Sequence, residues 1–146
     1  MSRFLLDTNV VSELRKRDRV DPHVRIWFDE HREDEFWLSV LVVAELRRGI
    51  ELIRRRDEPA ASILTAWLES TISAYEDRIL PITLGIGRRW ALLSVPDPVP
   101  VIDGLMAATA LEHDLTLVTR NVDDVKRSGV AFVNPFVVPV ASTDSE

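Results

Sequence analysis

Three acidic residues stand out for the company they keep. Asp7 directly follows the apolar run Phe4-Leu5-Leu6, Glu45 lies inside Val40-Leu41-Val42-Val43-Ala44-Glu45-Leu46, and Asp103 follows Val101-Ile102. Each sits at or near the end of what reads as a buried element, so the three could converge although they are far apart in the chain. Carboxylates ionised at neutral pH repel one another, and such a cluster is favoured only where a cation neutralises it. Mg2+ fits, with Mn2+ as the alternative, because both are hard ions that take oxygen ligands and also bind phosphate oxygens. A metal-bound water is a usable nucleophile at neutral pH, and the expected reaction is hydrolysis of a phosphodiester bond.

Each acid also has a plainer explanation. Asp7 and Asp103 could cap the helices that follow them, since Asp is among the preferred N-cap residues. Glu45 follows Val42 and Leu41 at helical spacing, which is unusual for an acid, but a salt bridge to Arg48 or a solvent-facing turn would account for it. Other chemistries have less to build on. His23, His31 and His113 lack the paired helical spacing of a zinc site, there is no cysteine, and no serine or cysteine triad is apparent. Gly85-Ile86-Gly87 is too short for a phosphate loop, and no Walker lysine pattern occurs.

The elements that must position these acids are legible as alternating strands and helices. Phe4 to Leu6 reads as a strand and Val10 to Arg15 as a helix, with Asp7-Thr8-Asn9 between them. Asp21-Pro22 supplies an N-cap and first-turn proline for a helix ending near His31. Glu35 to Ser39 is a second strand, with Ser39 capping a long helix from about Val40 towards Arg56. Pro59 opens a helix through Ile63, Leu64, Trp67, Leu68 and Ile72, Ile79-Leu80 is a brief strand, and Thr83 caps a helix carrying Ile86, Trp90 and Leu93. The prolines at 96, 98 and 100 enforce a loop. A helix from Ile102 to His113, a strand over Leu115 to Val118 and a last strand at Ala131 to Val133 complete the pattern, which predicts an α/β sandwich around a mainly parallel sheet.

The 146 residues suit one domain, with 46% hydrophobic and 29% charged residues as in ordinary globular chains. A net charge of -6 opposes simple polyanion binding, although Arg15-Lys16-Arg17 with Arg19, Arg47-Arg48 and Arg54-Arg55-Arg56 are local basic clusters that could hold phosphates. Solvated helix faces explain those clusters equally well. The absence of cysteine is compatible with a reducing compartment. With no signal-like or membrane-spanning run, the expected location is the cytoplasm, with no membrane partner. Residues 137–146 lack any period and are expected to form a flexible tail after a domain over 1–136.

These residues resemble a known family. Phe4-Leu5-Leu6-Asp7-Thr8-Asn9-Val10-Val11-Ser12-Glu13 is similar to the opening of PIN-domain toxins. Ser39 to Leu46 with Gly49 resembles their second acidic segment, and Ile102 to Ala110 the third. The likeness continues through Leu115-Thr116-Leu117-Val118-Thr119-Arg120-Asn121 to Asn134-Pro135-Phe136. It points to the VapC or FitB-like branch, which implies a ribonuclease toxin held inactive by a small VapB-type antitoxin and commonly homodimeric. By the same resemblance Asp7 and Asp103 are the principal metal ligands and Glu45 completes the acidic site. Asn121 occupies a position where many PIN domains carry Asp, and Asp124, three residues on, resembles the acid in the toxin branch's Thr-Arg-Asn segment, so it is favoured over Asp123 as a fourth acid. Thr119 and Asn9 then serve as hydrogen-bonding support. Gly104 and Val125 depart from the alanine and phenylalanine common in such toxins, and the proline loop replaces a more glycine- and arginine-rich connection. Two alternatives remain open: a degenerate PIN module that binds without cutting, and a nuclease directed at DNA.

Overall fold

The computed structural model describes residues 1–138. Strand β1 (Arg3–Leu6) is followed by helices α1 (Thr8–Leu14) and α2 (Pro22–Glu30), strand β2 (Glu35–Ser39), and helices α3 (Val40–Arg54) and α4 (Glu58–Ala74). Strand β3 (Ile79–Leu80), helices α5 (Leu84–Leu93) and α6 (Val101–His113), strand β4 (Thr116–Val118), helix α7 (Val122–Val125) and strand β5 (Phe132–Val133) follow within the described residues. The five strands form one sheet in the order β3-β2-β1-β4-β5, and every neighbouring pair is parallel. The expected mainly parallel sheet is therefore wholly parallel.

β1 occupies the centre, which is why Phe4, Leu5 and Leu6 form an unbroken apolar run: a strand buried on both faces has no polar side to alternate with. Leu5 stands in register with Trp37 on one neighbour and Leu117 on the other. The chain builds β1, β2 and β3 outward to one edge, then returns past β1 to lay down β4 and β5. Right-handed crossovers put helices of opposite winding directions on opposite faces. The packed groups follow that rule: α3 contacts α1 and α4, and α6 contacts α5 and α7.

Local chemistry sets the element ends. The Asp21 side chain accepts from the His23 N–H with Pro22 at the first helical position, and Ser39 Oγ accepts from the Leu41 N–H. Asp57 caps α4, one residue before the segment that Pro59 marks, by accepting from the Ala60 N–H. Helix α6 begins earlier than expected, and its N-cap is Pro100, so Asp103 is the third helical residue and does not cap. Small residues let α6 lie close to its neighbours: Ala107, Ala108 and Ala110 are buried, and a Cβ on Gly104 would stand 2.7 Å from Val99 Cγ2 and 3.0 Å from Trp90 Cδ1. Alanine at that position would force Val99 or Trp90 to move.

His31 stacks on Trp27 at a centroid distance of 4.2 Å and meets Phe4 edge-on, which gives it a packing role. Of the expected tail, Val137 and Val138 are exposed, and residues 139–146 lie outside the described residues.

Candidate active site

In an open parallel sheet, ligands bind beyond the strand C-termini where the order of strands reverses. Here the reversal falls between β1 and β4, and the residues immediately after those strands are Asp7 and Thr119. Asp7 is only 6% exposed, and Thr119 is fully buried. The Asp7 N–H still belongs to the sheet, donating to the Val118 carbonyl at 2.9 Å, so its Cα is fixed by β4 before its side chain acts. Its carboxylate accepts from the Thr8 N–H at 2.8 Å through Oδ1 and from the Thr119 hydroxyl at 2.7 Å through Oδ2. The Thr119 oxygen also accepts from the Asn121 N–H at 3.0 Å, which directs its one proton at Asp7. Asp7 is thus both the N-cap of α1 and a buried acid, so the two roles weighed for it are not exclusive.

Burial raises the Asp7 pKa above the usual carboxylate range. The Thr119 and Thr8 hydrogen bonds oppose that rise, and the Glu45 carboxylate adds to it. Glu45 comes from the middle of α3, and its Oε1 accepts from the Thr8 hydroxyl at 2.6 Å. Among the described residues it makes no ion pair with Arg48; the nearby helix pair is Arg47 with Glu51, at 3.2 Å. Thr8 therefore ties α1 to α3 and sets the orientation of an acid that its sequence neighbours would leave in an apolar stripe. Sequence reasoning did not single out Thr8, because a threonine after Asp7 is indistinguishable from an ordinary helix-start residue.

Asp103 in the first turn of α6 is the most perturbed acid. Its pKa is raised from 3.8 to about 6, first by burial, then by the charges of Asp7, Asp124 and Glu45, and by a hydrogen bond with Asp124. Asp103 thus lies within electrostatic range of Asp7 after β1, Glu45 of α3 and Asp124 of α7, and in hydrogen-bond contact with the last. Asp123 stands apart: it is 92% exposed and pairs with Lys126 at 3.3 Å. Asn9 Oδ1 accepts from the Arg120 N–H at 3.3 Å, which joins the start of α1 to the loop after β4. Of the basic clusters, Arg54 at the end of α3 is taken up by Glu51 of its own helix and by Glu58 and Thr65 of α4, so it bridges the two helices.

The donor set is all carboxylate oxygen, the preference of a hard divalent cation. Among the described residues no group of three or more acids or histidines is close enough together to hold a metal ion as placed.

Comparison with known proteins points to one family. The model of the PIN domain matches residues 4–128. Toxin FitB of Neisseria gonorrhoeae is 33% identical over 139 residues, covering 91% of this chain and 98% of the relative. VapC ribonuclease Y4jK of Sinorhizobium fredii is 33% identical over 142 residues, covering 91% and 97%. The crystal structure of FitAcB from Neisseria gonorrhoeae superimposes with a TM-score of 0.79 at 32% identity, over 92% of this chain and 99% of that one. A family model over residues 4–128, relatives 33% identical over 91% of the chain and a parallel sheet of the same fold make this chain a member of the PIN-domain family, of the VapC and FitB-like kind.

Proposed function

We propose that the chain is a metal-dependent endoribonuclease, the toxin of a bacterial toxin-antitoxin pair. The observation that carries this reading is the four-acid cluster, in which the charges of three other carboxylates help push Asp103 up to about 6. Uncompensated repulsion of that kind costs stability and is tolerated at sites where charge is needed for function. Asp7 and Asp103 are the residues that would hold the metal, Mg2+ or in its place Mn2+. When bound, the ion would supply charge neutralisation for the phosphodiester and a water of lowered pKa.

The chain's own groups do the positioning. Thr119 and the Thr8 N–H hold the Asp7 carboxylate in one orientation, so little reorganisation is needed on loading. Glu45, aimed by the Thr8 hydroxyl, is placed to orient a water or accept its proton. Asp124 completes the negative rim beside Asp103. Degeneration to a binding module would be expected to remove acids, and all four are present.

The relatives solved as FitAB and FitAcB support a partner protein; we read it as a VapB-type antitoxin that competes for the acidic site, and a cytoplasmic homodimer is the assembly proposed. Among the described residues no helix is long and apolar enough to cross a membrane. The test is to give the purified chain Mg2+ and a single-stranded RNA, with DNA of the same sequence in parallel, beside Asp7→Asn and Asp103→Asn. Cleavage of the RNA alone, and only by the parent, is expected. Undiminished cleavage by either variant removes the assigned site, and equal cleavage of DNA removes the RNA assignment.

A further inference from the structure

A cavity of about 110 Å³ opens beside the acids, several times the space one water needs. Its walls include Asp124 and Gly104, the residue after Asp103, so it shares an edge with the proposed metal site. Leu93, Val95 and Val99 give it apolar surface, and Asp97 and Arg127 supply the polar groups. Asp97 Oδ2 lies 3.5 Å from Arg127 Nη1, and both side chains are exposed, so the pair is open to exchange for a ligand.

The loop that presents Asp97 is stiff by composition. Pro96, Pro98 and Pro100 fix their own φ, and each disfavours the helical region for the residue before it, so Val95, Asp97 and Val99 have few backbone conformations open to them. A carboxylate on such a loop loses little entropy when it binds. A phosphate is a poor occupant, because Asp97 and Asp124 flank the single guanidinium. A flat ring with an apolar face and a polar edge fits better.

On the reading that this chain cuts RNA, we propose that the cavity is a nucleobase subsite selecting guanine beside the scissile phosphate. Guanine is the one common base whose Watson–Crick edge carries two adjacent N–H donors next to a carbonyl. Asp97 offers two adjacent acceptors for N1–H and N2–H, and Arg127, next to it, offers a donor for O6. Adenine would set its N1 lone pair against the carboxylate, and the pyrimidines lack the donor pair. Reading an unstacked base on this edge is the usual basis of sequence preference in single-stranded RNA, and a site built to hydrogen-bond rejects bases that leave its polar groups unpaired.

The experiment has two arms. The first measures binding of the four nucleoside 5′-monophosphates to the metal-free chain by calorimetry, for the parent and for Asp97→Asn. The parent should bind the guanine nucleotide roughly tenfold or more tightly than the others. The variant's carboxamide offers one acceptor and one donor, so it should lose that margin and gain for adenine. The second arm maps cleavage sites on a mixed RNA, where the parent should cut next to guanine and the variant should not. Equal binding of all four nucleotides, or a uniform loss in the variant, overturns the subsite. Metal-dependent cleavage without base preference does so too, and leaves the nuclease reading standing. Guanine-selective binding with no cleavage of any RNA has the opposite effect.

Discussion

Asp103→Asn should make the metal-free protein more stable, an unusual result for a change at a partly buried polar residue. The Asp103 pKa of about 6 lies some two units above 3.8. At about 1.4 kcal/mol per unit, the folded state would lose ~3 kcal/mol in ionising this group. The carboxyl is only half-buried, so solvent screening reduces the figure to about 1.5 kcal/mol. For a domain of this length that corresponds to a rise of about 4 °C in Tm. The sign with pH follows from linkage. Below 3.8 the acid is neutral in both folded and unfolded chains and the parent suffers no penalty. As pH rises through about 6 the folded parent must release its proton, and the stability gained from the neutral form is lost. The advantage of asparagine should therefore be full near pH ~8 and shrink towards pH ~4. Urea unfolding in EDTA across that range measures it. Excess Mn2+ should reverse the order near pH ~8, because the ion stabilises only the chain that binds it. A variant less stable than the parent in EDTA near pH ~8, or an advantage that does not change with pH, would refute the repulsion argument.

Thr119→Val removes the hydroxyl that favours ionised Asp7, so the Asp7 pKa should rise further and the acid limb of the pH-rate profile should move to higher pH. The same variant leaves the Asn121 N–H and a buried carboxylate oxygen short of a partner, and should lose about 2 kcal/mol in urea unfolding. Thr8→Val frees Glu45, and kcat should fall roughly ten- to hundredfold with little change in metal affinity. Thr8→Ser should restore it, since a positioning hydroxyl is all that the role requires. Gly104→Ala would ordinarily favour a helix by about 1 kcal/mol, but the contact with Val99 and Trp90 should turn this into a net loss of about 1 kcal/mol in thermal unfolding.

What the sequence disclosed and what it withheld follow from the range of the forces involved. β2, the Ser39 cap and the Asp21-Pro22 helix start depend on a few neighbouring residues, and each was legible. Strand order was not, because it depends on pairings across the whole chain. Asp103 was weighed as a cap because Asp is favoured there, yet the helix starts at Val101 straight after Pro100 and places it inside the first turn. Ile63 belongs to an apolar helical pattern but is 72% exposed, since the buried stripe of α4 runs through Ala61 and Leu68. The acids were individually visible, whereas their meeting required β1 beside β4, a fact no local pattern contains. The Thr8 link to Glu45 spans two helices and left no local signal at all.

Mn2+ binding followed by electron paramagnetic resonance, in which bound ion loses the signal of free ion, addresses the metal site without relying on any substrate. The purified parent should take up Mn2+ saturably and release it to excess Mg2+. Asp7→Asn and Asp103→Asn, shown to be folded by circular dichroism, should each lose at least about tenfold in affinity. Parent-like affinity in both variants would contradict the assignment of Asp7 and Asp103 as the residues that hold the ion.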